Sequence, residues 1–174
     1  MTETESVLAQ ALQAARAKAR AEVNRRAVLS AGATLLPFPG IDIAVDVSAL
    51  VGMFNAVNRV FLLSPDQIAL LSSEERIAVF QAIGSVRAVF AGQYVTNAAV
   101  LMLVKQFGAK WAAGKTARWI PIVGQGAAAA LSFAAFKWLG EEHIRECAAV
   151  RQRACTLLAL SSDVKEMNEN DGCH

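Results

Sequence analysis

Recognisable catalytic signatures are missing from this chain. It has no Cys-x-x-Cys, no His-Glu-x-x-His and no Gly-x-Ser-x-Gly, so the usual redox, zinc-hydrolase and serine-hydrolase arrangements have no foothold. Only two histidines and three cysteines occur in 174 residues. Cys147, Cys155 and Cys173 all lie near the C-terminus, and an odd number without paired spacing fits reduced thiols in a reducing, cytoplasmic compartment. Charge is sparse: 18% of residues are Asp, Glu, Lys or Arg, against about 25% in an ordinary soluble domain. The formal net charge of +2 is too small to argue for nucleic acid. Strand-like alternation is absent, and no glycine or proline precedes Gly32, which leaves the helix as the element to expect.

What the chain does have is apolar surface. It is 55% hydrophobic with a mean hydropathy of +0.36. Its length fits one domain with a sizeable core. Such a composition suits either a well-buried helical bundle or a protein that meets lipid.

Helical periodicity runs throughout. Val7, Leu8, Ala11, Leu12, Ala15 and Ala19 place a weak apolar stripe on a charged N-terminal helix within residues 1–26. A secretory signal does not fit this start, and the twin arginine in NRRAVLSAGATLL (residues 24–36) reads as a solvated helix end. A bundle domain is expected over residues 27–160, followed by a polar, frayed tail over 161–174. Within the bundle, a helix follows Pro37–Gly40 and runs to Leu63. Ser64-Pro65-Asp66-Gln67 and Ser72-Ser73-Glu74-Glu75 are helix starts with capping-box spacing. The next helix is expected to reach Phe107 with a kink at Gly84. The last is expected from Gln125 to Leu160, bent at Gly140.

Two segments look alike. LLPFPGIDIAVDVSALV (residues 35–51) and WIPIVGQGAAAALSFAAF (residues 119–136) align without a gap. Pro37 matches Pro121, Gly40 matches Gly124, Ala44 matches Ala128 and Ser48 matches Ser132. The last three of each set recur every four residues and form one small-residue ridge on a helix. Such a ridge admits a neighbouring backbone closely. The expected fold is therefore an all-α, compact helical bundle with two central small-residue helices, each entered by a Pro/Gly turn.

PFPGIDIAVDVSALV, a helical stretch, and then RWIPIVGQGAAAALSFAAFKWL together resemble the C-terminal helical domain of the immunity-related (interferon-inducible) GTPases, and similar bacterial helical domains of unknown function. The resemblance covers roughly residues 25–150. It rests on the two turns; the helices between them match only in character. It implies a soluble helical bundle linked to GTPases, with some members attaching to membranes. Only about 25 residues precede the matching stretch here, so the family's GTPase domain is not expected in this chain. Nucleotide hydrolysis is therefore not carried over, and a GTPase acting in trans is the partner the resemblance implies.

Several side chains could carry chemistry. Ala109 to Thr116 satisfies a loose P-loop pattern, but a helical pattern precedes it and no parallel sheet supports it, so a basic interhelical loop is expected. Asp42 and Asp46 lie one helical turn apart. Asp42 suits a helix N-terminus. Asp46 sits in an apolar run and is expected as a buried structural anion paired with Arg118, Lys115 or Arg87. His143, Glu146 and Cys147 fall at i, i+3 and i+4, but a metal needs three or four ligands and no second cluster exists. That trio is read as a solvated helix face, and no metal or other cofactor is expected. Lys105, Lys110, Lys115 and Arg118 form an acid-free basic loop with Trp111 and Trp119 flanking it. That pattern marks a candidate surface for an anionic membrane or a partner.

Residues 88–104 and 119–136 carry no charge and approach spanning length. Spans at 27–57, 88–104 and 119–139 would obey the positive-inside rule, but Asp42 and Asp46 would each cost about 2.5–3.5 kcal/mol at a helix centre. The expectation is a non-enzymatic helical interaction module, cytoplasmic and at most peripheral to a membrane, acting on itself as a homo-oligomer or on a partner protein. The alternative is an integral membrane or pore-forming protein with three apolar helices.

Overall fold

The structure, a computed structural model, describes the backbone of residues 3–33, 41–102, 105 and 123–171, and the side chains of 6–29, 47–102, 105 and 133–162. Every regular element among these residues is a helix: α1 (Glu3–Ala33), α2 (Ile41–Val60), α3 (Pro65–Ala69), α4 (Ser73–Val86), α5 (residues 97–102) and α6 (Val123–Asp171). The chain is an all-α, compact helical bundle.

The long α6 is the axle, and α1, α2 and α4 all pack on it. Helix α1 runs antiparallel to α6. Arg20 Nε donates to both carboxylate oxygens of Glu141 at 3.1 Å, and Lys137 Nζ donates to Asn24 Oδ1. Beside these contacts Ala19, Val23 and Ala27 are buried at four-residue spacing. Helix α2 runs parallel to α6, with Phe54 against His143 and Asn58 against Cys147. Its stripe of Val47, Leu50, Met53, Phe54, Val57 and, beyond its end, Phe61 enters the single core cluster.

One crossing is held close by a glycine packed against buried side chains. A Cβ on Gly140 would lie 2.5 and 2.7 Å from the two methyls of Val23 and 3.2 Å from Met53 Sδ. Gly140 thus lets α6 approach α1 and α2 together, where the sequence reading expected a bend.

Both short helix starts form as their spacing implies. Ser64 N–H donates to Gln67 Oε1 at 3.2 Å, with Pro65 at the first helical position. Ser72 Oγ accepts from the Glu75 N–H at 3.3 Å, and Glu75 Oε2 accepts from the Ser72 N–H at 2.9 Å. Arg76 donates to the Ala69 and Leu71 carbonyls, closing the end of α3.

Four expectations are corrected. Val7 and Ala11 are exposed, so the α1 stripe runs through the half-buried Leu12 and Ala15 to Ala19, Val23 and Ala27. The helix expected to reach Phe107 stops at Val86, where Arg87 adopts a left-handed conformation (φ 57°) and its N–H is donated to the Ile83 carbonyl. Residues 87–96 are a loop, and Thr96 then caps α5 by accepting from the Ala99 N–H. The uncharged stretch 88–104 is therefore not one helix, and its non-helical part, 88–96, has backbone groups that lipid cannot satisfy. Ser48, expected on the packing ridge, is exposed because the core stripe of α2 is centred on Val47, Leu50 and Phe54. Helix α1 continues past residue 26, and α6 continues past Leu160 to Asp171.

Among the described residues one stretch, Val47–Ala69, is long and apolar enough to cross a membrane by length and composition. Half of its most apolar 18-residue window is buried inside the bundle. It also turns at Leu62 (φ 58°) before α3 begins.

Candidate functional site

Buried polar side chains are few among the described residues, and apart from Ser64 at the start of α3 they gather in one place. Asn58 on α2, His143 on α6 and Cys147 one turn further along α6 are all buried. Helix α2 supplies two asparagines, Asn55 and Asn58, three residues apart on the side that meets the 87–96 loop. Asn55 Nδ2 donates to the Val95 carbonyl, and Asn55 Oδ1 accepts from the Val95 N–H, both at 3.2 Å. Asn58 Nδ2 donates to the Phe90 carbonyl at 2.8 Å and faces the Gln93 carbonyl at 3.4 Å. These bonds stand in for secondary structure. They satisfy loop backbone that Ala88, Ala91 and Val95 carry into the core.

With its amide nitrogen committed to two carbonyls, Asn58 turns Oδ1 toward α6. His143 Nε2 lies 3.0 Å from Oδ1, and Cys147 Sγ donates to the same oxygen at 3.4 Å. Since Oδ1 is an acceptor, His143 carries a proton on Nε2. Its Nδ1 faces Glu146 Oε2 at 3.5 Å, on the half-exposed side of the helix. Phe54 stands edge-on to the imidazole, with centroids 5.0 Å apart, and stacks at a tilt on Phe90 at 4.7 Å. An apolar cleft of about 130 Å³ opens beside this group, lined in part by Trp138, Val89, Phe90 and Leu139.

Cysteine, histidine and asparagine are the residue types of one nucleophilic constellation, so the geometry must decide. Such a relay needs the thiol on one ring nitrogen and the amide on the other. Here Sγ approaches Nε2 at 3.5 Å and Nδ1 only at 4.0 Å, so thiol and amide share Nε2. The thiol is also fully buried, and that burial, reinforced by the Glu146 charge, pushes its pKa far above the ordinary cysteine range. A thiolate is what attacks, and this environment opposes one. The cluster is a clamp: it ties α2, the 87–96 loop and α6 through one amide.

This corrects the reading of His143, Glu146 and Cys147 as a solvated helix face, because only Glu146 reaches solvent. Among the described residues no group of three or more His, Cys, Asp or Glu side chains could hold a metal ion. The other sequence candidates are placed less fully. Asp42 and Asp46 are helical in α2, but their side chains, including the anticipated buried anion, lie outside the described residues. The same holds for the side chains of Ala44 and Ser132 and the surroundings of Gly124 and Ala128, while Gly40 lies wholly outside. Lys105 is exposed, and Lys110, Trp111, Lys115 and Arg118 fall outside the described residues, as does the Ala109–Thr116 pattern. Arg87 is exposed at the end of α4.

Sequence reasoning missed Asn55, Asn58 and the true use of Gly140. Two asparagines three residues apart on the apolar α2 were the available signal. No family model matches the chain, and neither a curated protein nor a solved structure matches it.

Proposed function

We propose that this chain is a non-enzymatic helical interaction module that self-associates or docks a partner protein, at or near an anionic membrane surface. The supporting observation is the outer face of α4. Ile77 and Phe80, one turn apart, are 57% and 54% exposed, while Ala78, Val79 and Ala82 hold the helix on the bundle. Large apolar groups that a fold does not need for its own core mark a contact surface. The polar residues most suggestive of chemistry are meanwhile committed to the internal clamp. The resemblance to the helical domain of immunity-related GTPases adds a GTPase in trans as the specific partner class, and the basic sequence stretch with Lys105, Lys110, Lys115 and Arg118 adds the membrane surface.

Flotation with anionic liposomes, followed by high-salt and alkaline-carbonate washes, tests the membrane part. Release by salt is the expected result, because attraction between basic residues and lipid headgroups is screened. Protein that resists both washes would replace this reading with membrane insertion, for which Val47–Ala69 is the apolar stretch to examine first.

A further inference from the structure

We infer that α4 is a homodimer surface, on which a second copy of this chain lays its own α4 antiparallel about a twofold axis between positions 80 and 81. The inference rests on the self-association reading above and names its contact. The exposed side of α4 presents Glu74, Ile77, Phe80, Gln81 and Gly84, with Arg87 just beyond its end. In the antiparallel arrangement Ile77 of each copy stands opposite Gly84 of the other. Nothing lies within 4 Å of where a Gly84 Cβ would be, so each isoleucine meets a vacant notch in the facing helix. A helix bearing glycine at such a point accepts a neighbour at the short end of the usual 8–10 Å axial separation. Phe80 of the two copies meets across the axis, on one flank of the pair.

Charge agrees with shape. The acidic first turn of α4, Glu74 and Glu75, comes level with Arg87 of the other copy, and the two helix dipoles oppose each other. A parallel pairing would instead set like charges and like dipole ends together. Isologous contact of one patch with itself is also what a closed dimer requires. A helix of 14 residues covers less than the roughly 800 Å² per partner of a standard interface. The contact is therefore a small one, of the kind that forms weak, concentration-dependent dimers.

Sedimentation velocity on the full chain from about 1 to 500 μM tests this. Wild type should pass from monomer to dimer. Gly84→Leu fills the notch and Phe80→Lys sets like charges together at the axis; each should weaken the dimer at least tenfold. Gly84→Leu adds a good helix former where nothing is touched, so its melting temperature should not fall, which separates lost association from lost folding. Leu29→Lys removes a comparably exposed apolar side chain, 63% exposed, from α1 and should leave the dimer unchanged. A chain that stays monomeric throughout overturns the pairing and self-association together, leaving only the docking of another protein. A dimer indifferent to Gly84→Leu and Phe80→Lys overturns the α4 pairing while self-association stands.

Discussion

Replacing Gly140 with alanine adds one methyl group where α6 crosses both α1 and α2. Two effects oppose each other. Alanine in a helix interior is favoured over glycine by about 1 kcal/mol. Against that, the new Cβ would lie 2.5 and 2.7 Å from the Val23 methyls, and 3.2 Å from Met53 Sδ. Val23 is fully buried and β-branched, so in a helix it has one strongly preferred rotamer and cannot swing aside. Overpacking of this kind costs about 1–3 kcal/mol, and two methyls blocked at once put this site in the upper half of that range. The net expectation is a loss of about 1–2 kcal/mol, or a melting temperature lower by about 2–8 °C for a chain of this size. Gly84→Ala supplies the control. It makes the same chemical change in α4 where nothing lies within 4 Å, so only the helix-propensity gain of about 1 kcal/mol remains. Urea unfolding followed by circular dichroism, with all variants at the same low micromolar concentration, measures both. In Val23→Ala/Gly140→Ala, removing the Val23 methyls should recover part of the Gly140→Ala loss, so the double variant should cost less than its two singles combined. The reasoning about close approach fails if Gly140→Ala stabilises the chain as much as Gly84→Ala does.

Asn58→Ala strips partners from the Phe90 and Gln93 carbonyls, His143 Nε2 and the Cys147 thiol at once. Each buried orphan costs about 1–3 kcal/mol, so a loss of about 3 kcal/mol or more is expected in urea unfolding, and a loss under about 1 kcal/mol would contradict the clamp. Glu75 is held below its ordinary 4.5 by the Ser72 backbone N–H and then by the Ser72 hydroxyl. A depressed folded pKa contributes stability that is present above the unfolded value and lost as pH falls through the folded one. Melting scans below about pH 5 should therefore show a shallower acid decline for Glu75→Gln than for wild type, and identical slopes would remove Glu75 from the cap. Iodoacetamide on the native chain should modify the half-buried Cys155 well before the buried Cys147, because alkylation needs an exposed thiolate. Peptide mass spectrometry showing equal rates would contradict the burial of the clamp.

The legible parts of this fold were local ones. Ser64 and Ser72 could be read as helix starts because a cap and its partner lie three residues apart. Arg87 could not be read as a helix end, since arginine carries no left-handed signal and the turn is held from outside. Its loop carries Gly92, which is needed at φ +74° where a Cβ would lie 2.5 Å from Ile83 Cδ1. The bonds that keep the loop buried come from Asn55 and Asn58, 32 to 40 positions upstream. The orientation of His143 and Cys147 was hidden for a related reason. Helix α6 is packed on by α1, α2 and α4 together, so it buries more than one side, and no single apolar stripe separates inside from outside.

The asparagine pair also orders events in time. The 87–96 loop has few backbone partners of its own, and its strongest are two side chains on α2. Until α2 is helical and seated on α6, Asn55 and Asn58 do not face the loop together, and the loop has nothing to close upon. It is thus expected to form late, since its closure spans a long stretch of chain. The Val95 amide, donated to a side chain on another helix, becomes a natural hydrogen-exchange reporter. Its protection reports the loop closed on a helical α2, because both must be in place for the bond to form.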